Sequence, residues 1–372
     1  MKIKCKICGS SFLKSLLRYE NMPAKAQFFP ERKNLGKDKP VVLEVYQCLS
    51  CGVIQLVSSP VPYYKEVIRA SSFSQEMQRF RKRQFRSFIK RFSLEGKKIV
   101  EIGCGQGEYL SIMKECGVNT YGIEYSKKSV KQCLKKGLKV SQGFVDNAQF
   151  KIDYAPFDAF FILSFLEHLP SPCETLRGIY NNLKEEGVGI VEVPNFNMIV
   201  KKKLFSEFIS DHLFYFSKDT LRRTLEISGF EVIECKEIWY DYIISAWVRK
   251  RKKLELTSFY RHQEKIKKEI ESYIKNKKIA VWGAGHQALA ALSLFKLKDR
   301  VRYVVDSATF KQGRFTPATH IPVVSPQKLK EDPPQALIIM AGSYSDEVAK
   351  IVKEKFSKIQ VAILRDFGLE KL

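Results

Sequence analysis

No apolar run in this 372-residue chain approaches the ~18–20 residues needed to cross a membrane, and the opening Met1-Lys2-Ile3-Lys4-Cys5 has no signal-peptide core. A soluble, cytoplasmic protein without a membrane partner is expected. Lacking a secretion signal, the chain is not expected to use its nine cysteines for disulfides, since closely paired cysteines in such a context more often bind metal. No period of 20–50 residues recurs, so a repeat array is excluded. Acidic residues are scarce beside basic ones, 40 against 64, for a net charge of +24. Part of the excess lies in Arg79–Arg86 with Lys90 and Arg91, and part in Arg249–Lys253. Such runs attract polyanions or phosphorylated substrates, or they are solvated helix faces. No aromatic-interleaved basic groove accompanies them, so nucleic acid is not the expected partner.

What is present is enough apolar residue, 45% with 12% aromatic, to bury the cores of two or three domains. The most informative stretch is Val100-Glu101-Ile102-Gly103-Cys104-Gly105-Gln106-Gly107, an apolar strand running into a loop with three glycines. A loop so poor in Cβ atoms lets backbone approach a ligand closely at a helix N-terminus. The next strand, Thr120–Glu124, ends in a carboxylate that can accept both hydroxyls of a ribose. The order of the glycines fits the E-x-G-x-G-x-G of class I S-adenosylmethionine methyltransferases better than the G-x-G-x-x-G of a dinucleotide fold.

Four blocks follow. Residues 1–62 hold four cysteines and end at Pro60-Val61-Pro62, which suits a small zinc-binding domain. Residues 63–248 suit a methyltransferase domain. Its lead-in, 63–95, reads as helical from the spacing of Phe73, Met77, Phe80, Phe85, Phe88 and Phe92, and residues 96–247 then alternate strand and helix. That alternation predicts an α/β fold with a parallel sheet covered by helices. Residues 249–276 are charged and periodic, a linker helix. Residues 277–372 open with a second strand–glycine–helix unit and form another Rossmann-like α/β domain.

Cys5-Lys6-Ile7-Cys8 and Cys48-Leu49-Ser50-Cys51 are two C-x-x-C pairs. Each turns two thiolates onto one ion, and together they complete a tetrahedron suited to structural Zn²⁺. Gly9 and Gly52 directly follow the pairs and favour the tight turns that aim backbone N–H groups at the sulfurs. The remaining five cysteines are scattered and read as ordinary buried residues.

Ligands of open parallel sheets bind at the carboxyl ends of the strands, around the switch in strand order. The cofactor candidates there are Glu101, Gly103, Gly105, Gly107, Glu124, Phe144, Val145 and Ser164, with Phe144 and Val145 placed to flank an adenine. Strand 157–163 empties into Ser164-Phe165-Leu166-Glu167-His168, which puts Glu167 and His168 at the pocket mouth. His168 reads equally as a capping or core histidine.

At this point the chain resembles bacterial nucleotide-sugar C-methyltransferases. Cys5–Cys8 and Tyr46–Leu56 resemble their zinc-binding N-terminal domain, and the middle resembles their methyltransferase core. Lys311-Gln312-Gly313-Arg314-Phe315-Thr316-Pro317-Ala318-Thr319-His320-Ile321-Pro322-Val323, preceded by Asp306, is similar to the D-x-x-x-x-K-Q-G-x-x-x-P-G-T-H-I-P-V run of their C-terminal domain, with Ala318 in place of a glycine. The resemblance implies S-adenosylmethionine as cofactor and methylation of a carbon beside the keto group of a nucleotide-linked deoxysugar, commonly C-3 of a dTDP-4-keto hexose. A base removes the acidified proton and the enolate attacks the sulfonium methyl.

The family's Y-x-E-H segment implies that His212 is the base, with Asp211 supplying the carboxylate beside it. Ile209 stands where the family has tyrosine, a departure that makes an O- or N-methyl acceptor a real alternative, and Tyr215 is the nearby aromatic that can substitute. Asn195, at the end of strand 187–193, is placed to meet an acceptor oxygen.

Gly283-Ala284-Gly285-His286-Gln287-Ala288, with Asp306 ending the next strand, taken alone argues for NAD. The same loop occurs in the family's C-terminal domain without hydride chemistry, and His286 there can meet a phosphate. The competing classes are a nucleic-acid methyltransferase, an NAD(P)-linked oxidoreductase and a non-catalytic scaffold. The expected partner is a small-molecule substrate, and the expected state a monomer or weak homo-oligomer.

Overall fold

The computed structural model describes residues 3–66 and 74–372, so Phe73 of the aromatic series lies outside the described residues. The chain forms two compact units, Met1–Lys253 and Leu254–Leu372.

The first unit opens with β1 (Leu13–Met22), β2 (Val41–Cys48) and β3 (Ile54–Leu56), an antiparallel sheet. Its fourth strand comes from far downstream, where Ile54 pairs with Tyr215 and Gln55 with Phe214. Leu43, Val45, Ile54 and Leu56 bury themselves against Met198, Ile199, Phe208 and Tyr215. The four-cysteine block is therefore built onto the rest of this unit.

Helix α1 (Gln75–Phe92) begins at Ser74, whose hydroxyl accepts the Met77 N–H at 3.1 Å. The alternating part runs β4 (Lys98–Ile102), α2 (Glu108–Lys114), β5 (Asn119–Glu124), α3 (Lys127–Lys135), β6 (Lys139–Gln142), β7 (Phe157–Leu163), α4 (Pro172–Asn181) and β8 (Leu183–Pro194). Then come α5 (Phe196–Lys201), β9 (Phe214–Tyr215), α6 (Lys218–Ile227), β10 (Phe230–Ile238) and β11 (Ile243–Lys250). The main sheet has the order β10-β11-β8-β7-β4-β5-β6.

The strands β8, β7, β4, β5 and β6 are mutually parallel, as the alternation predicts. β11 joins β8 antiparallel, and β10 pairs antiparallel with β11 because those two follow one another through a short turn with no crossover helix between. β7 reads FDAFFIL, an almost unbroken apolar run, because both of its faces are covered. Phe160 and Ile162 face Leu176, Ile179 and Leu221, while Phe161 and Leu163 face Phe85, Phe88, Met113 and Trp247. β4 lies between β5 and β7, so the strand order reverses beside it and a crevice opens at the carboxyl ends.

In the second unit α7 (Thr257–Ile274) buries Ile266, Ile270, Tyr273 and Ile274 in that unit's own core. It is followed by β12 (Ile279–Trp282), α8 (His286–Leu294), β13 (Val301–Val305), β14 (Val323–Val324), α9 (Lys328–Glu331), β15 (Ala336–Ile339), α10 (Ser345–Lys355), β16 (Gln360–Leu364) and β17 (Leu369–Lys371). Their order is β14-β13-β12-β15-β16-β17, parallel except for β17. Among the described residues no helix is long and apolar enough to cross a membrane.

Packing between β7 and β8 is tight enough to test. A Cβ on Gly189 would lie 2.0 Å from the Phe160 ring. Gly189→Ala should destabilise the first unit by ~1–3 kcal/mol, the usual result of overpacking a filled core. Chemical denaturation reads this, and an unchanged midpoint would contradict the packing described.

Candidate active site

The candidate cofactor side lies at the carboxyl ends of β4 and β5. Gly103, Gly105 and Gly107 all adopt positive φ, at 69°, 55° and 81°. A Cβ on Gly107 would meet Leu138 Cδ1 at 2.4 Å, so the turn into α2 is closed to larger residues. Glu124 is buried, and its carboxylate accepts the Gly105 N–H and the Ser126 N–H, each at 2.9 Å. An ionised carboxylate accepts through about four lone-pair sites. Glu101 is buried at the end of β4 beside the same loop.

Beyond Glu124, Gly143, Phe144, Val145, Phe165 and Thr175 line a slot of about 10 Å³. The Thr175 hydroxyl fixes the Val145 carbonyl at 2.7 Å, and Lys65 Nζ lies 5.0 Å from the Phe144 ring centre. Ser164, with φ 48°, gives its N–H to the Glu192 carbonyl at 2.9 Å and lines the neighbouring cleft.

That cleft has a volume of about 440 Å³ and is lined by Tyr63, Arg81, Tyr109, Ser164, Glu167, His168, Asp211, His212 and Tyr242, among others. The His168 and His212 rings meet edge to face at 4.8 Å. His168 Nδ1 lies 2.9 Å from the Asp211 carbonyl oxygen. A carbonyl only accepts, so Nδ1 carries the proton and Nε2 the lone pair of the neutral ring. Burial holds the His168 imidazole below its usual pKa. Burial, with His168 alongside, pushes His212 down to about 3. Glu167, also buried, is pushed up to about 8.

Two neighbours are committed elsewhere. Asp211 uses its carboxylate to accept the Ala26 N–H and the Tyr63 hydroxyl, each at 2.9 Å. The Tyr215 hydroxyl accepts the Ile209 N–H at 2.9 Å and faces the Glu207 and Ile209 carbonyls, and burial raises its pKa. Its ring lies 6.0 Å from that of His212.

In the sequence Arg81 stands inside a basic run, with no local motif to mark it. It is 1% exposed, forms a buried ion pair with Glu192 and sits 5.0 Å over the Tyr109 ring. Gln84 donates to the other Glu192 oxygen. The signal was helical spacing, since positions 77, 81, 85 and 88 share the buried face of α1.

Other candidates fall outside the cleft. Asn195 accepts the Asn197 N–H at 3.1 Å as the N-cap of α5 and donates to the Asp241 carbonyl at 2.8 Å, which occupies its amide. His286 is exposed at the start of α8 in the second unit. There Asp306 accepts the Ala284 and Ala308 N–H groups at 2.8 and 2.9 Å, as Glu124 does in its own loop. Asp306 also holds Lys311 Nζ at 2.9 Å, which lowers its pKa against the cost of burial.

The four N-terminal cysteines come together. Cys5 and Cys51 sulfurs lie 3.6 Å apart, as do Cys8 and Cys48, and all four lie within 4.8 Å. A tetrahedron with Zn–S bonds of about 2.3 Å has edges of roughly 3.8 Å, so the thiols fit that ion. Gly9 and Gly52, at φ 76° and 84°, close the turns by donating to the Cys5 and Cys48 carbonyls.

Comparison with known proteins agrees with this layout. Residues 77–235 match the methyltransferase domain family, and residues 251–362 match the C-methyltransferase C-terminal domain. The chain is 21% identical to the C-methyltransferase NovU of Streptomyces niveus, over 94% of this chain and 92% of that protein. It is 29% identical to the ubiquinone biosynthesis O-methyltransferase of Bordetella avium, over 26% of this chain and 42% of that one. Among solved structures, the magnesium protoporphyrin IX methyltransferase of Synechocystis, with bound S-adenosylhomocysteine, shares 15% identity. The match covers 49% of this chain and 90% of that one at a TM-score of 0.39.

The Glu124 carboxylate gives a direct test of the cofactor side. Hydrogen bonds to charged groups contribute ~1.5–3 kcal/mol each. Glu124→Ala should therefore weaken S-adenosylhomocysteine binding by roughly ten-fold or more in calorimetry. Glu124→Gln keeps the shape without the charge and should fall between. An unchanged dissociation constant in Glu124→Ala would place the ribose elsewhere.

Proposed function

From the premise that this chain is an S-adenosylmethionine-dependent methyltransferase, with a class I core and a C-methyltransferase C-terminal domain, we propose that it methylates a carbon beside the keto group of a nucleotide-linked deoxysugar. The observation that carries this reading is the match to a C-methyltransferase along almost the entire length of both chains. The resemblance of Lys311–Val323 to the sugar C-methyltransferase run supports the sugar.

In this reading Glu124 and the glycine loop hold the nucleoside of S-adenosylmethionine, and the sulfonium methyl faces the cleft. The acceptor lies over His212, whose lone pair takes the proton beside the ketone. Burial disfavours the imidazolium until the negative enolate forms next to it, so the proton stays on His212 only as the carbon nucleophile develops. The enolate carbon then attacks the methyl in line, and S-adenosylhomocysteine leaves. Holding both reactants in one small cleft supplies much of the acceleration.

His168, fixed by the Asp211 carbonyl, orients His212 through the ring contact. Tyr215 supports the wall, because its hydroxyl is held by backbone. A hydroxyl acceptor is the second reading, favoured by Ile209 at the position where the resembled pattern has tyrosine. We further propose that the four cysteines carry a structural Zn²⁺, with no ligand position left for chemistry.

His212→Ala should cut turnover by on the order of 10²–10⁴-fold and leave S-adenosylhomocysteine affinity almost unchanged. It should also abolish solvent deuterium exchange beside the ketone. Near-normal turnover would remove His212 from the base role, and lost cofactor binding would make it structural. For the metal, purified protein should contain about one zinc, and Cys48→Ser should lose both the ion and N-terminal folding. Reduced protein free of zinc would contradict this.

A further inference from the structure

We propose that Glu167, His168 and His212 form a second metal site, for a borderline divalent cation such as Co²⁺, Ni²⁺ or Zn²⁺, and that this cation competes with the acceptor's proton for the His212 lone pair. The competition rests on the reading of His212 as the base, whereas the site itself does not.

One ligating atom from each of the three side chains lies within 4.8 Å of the others. Glu167 is 1% exposed, and its Oε2 has no hydrogen-bond partner among the described residues. Its Oε1 faces His168 Nε2 at 3.8 Å, too far for a hydrogen bond. Nε2 bears the lone pair of that ring, because Nδ1 donates to the Asp211 carbonyl. The His212 ring makes no hydrogen bond among the described residues, and it meets His168 at 4.8 Å. Three potential ligands thus converge, and among the described residues no hydrogen bond joins any two of them. Arg81, which also lines the cleft, is committed to Glu192.

A buried carboxylate facing lone pairs needs a positive centre. A proton can supply it to one pair of atoms at a time, whereas a cation satisfies all three. An imidazole that donates its other N–H to a backbone carbonyl has the support usual for metal-binding histidines. Two imidazoles and one carboxylate suit borderline divalent ions better than the all-oxygen shells of Mg²⁺ or Ca²⁺. Because these residues line the cleft, the ion keeps positions open toward it. An ion on His212 takes the electron pair that would accept the acceptor's proton, so the two occupancies exclude one another.

The test uses full-length protein with its four-cysteine site saturated with zinc and the excess removed. Titration with Co²⁺ should show one further equivalent by calorimetry. Its visible bands should be weak and lack thiolate-to-cobalt charge transfer, which separates it from exchange into the cysteines. Affinity should fall at least ten-fold in Glu167→Gln and in His168→Gln, with S-adenosylhomocysteine binding retained as the check on folding. Methyl transfer to a dTDP-linked 4-keto deoxyhexose should fall in step with cobalt occupancy and return on chelation. The absence of a further equivalent, binding unaffected by both substitutions, or occupancy that leaves or raises methyl transfer would each overturn the proposal. If that acceptor is not methylated at all, the earlier functional reading falls, and the binding measurements still decide the cation site.

Discussion

Four carboxylates, Glu101, Glu124, Glu167 and Glu192, are buried at or just beyond the carboxyl ends of one sheet, and the arrangement of the first unit follows from how that charge is managed. An unpaired buried carboxylate costs several kcal/mol, so each demands donors or a cation. Glu124 accepts two backbone N–H groups of its own loops, which fixes the glycine turn. Glu192 draws Arg81 and Gln84 from α1, and this pins the lead-in helix across the sheet. Glu167 stands against two imidazoles instead. The sheet edge is therefore organised around charge as much as around shape, and this wall is acidic even though the chain as a whole is strongly basic.

The second unit repeats the Glu124 device and then closes it. Asp306 holds two backbone N–H groups in the same way, yet it also carries Lys311 as a built-in counter-ion. A ribose approaching Asp306 would have to compete with an ammonium already in place. Two loops that look alike as glycine patterns thus differ in the residue five positions after the acid, and that difference argues against a dinucleotide role for the second.

What was legible in the sequence was local. Paired cysteines, glycine spacing and strand–helix alternation each act within a few residues, and the cysteine cluster, the glycine loop and both α/β units stand where those signals put them. What was not legible depends on distant partners. The antiparallel pairing of β11 with β8, and the pairing of β9 with β3, are set by contacts far apart in sequence. Asp211 and His212 are adjacent, but the carboxylate turns to Ala26 and Tyr63, which no spacing could reveal. Asn195 looked free to meet a substrate until the cap of α5 and the Asp241 carbonyl claimed its amide. Arg81 was hidden by its neighbours: a run of surface charges concealed one member on the apolar face.

The central claim is that a carbon, and not an oxygen or nitrogen, receives the methyl group. The most direct measurement is NMR of the product formed from ¹³C-methyl-labelled S-adenosylmethionine and a dTDP-linked 4-keto deoxyhexose. The account predicts a labelled methyl coupled directly to the ring carbon beside the ketone, with the proton at that carbon lost. A labelled methyl on a hydroxyl oxygen or an amine nitrogen, with that ring proton intact, would contradict it.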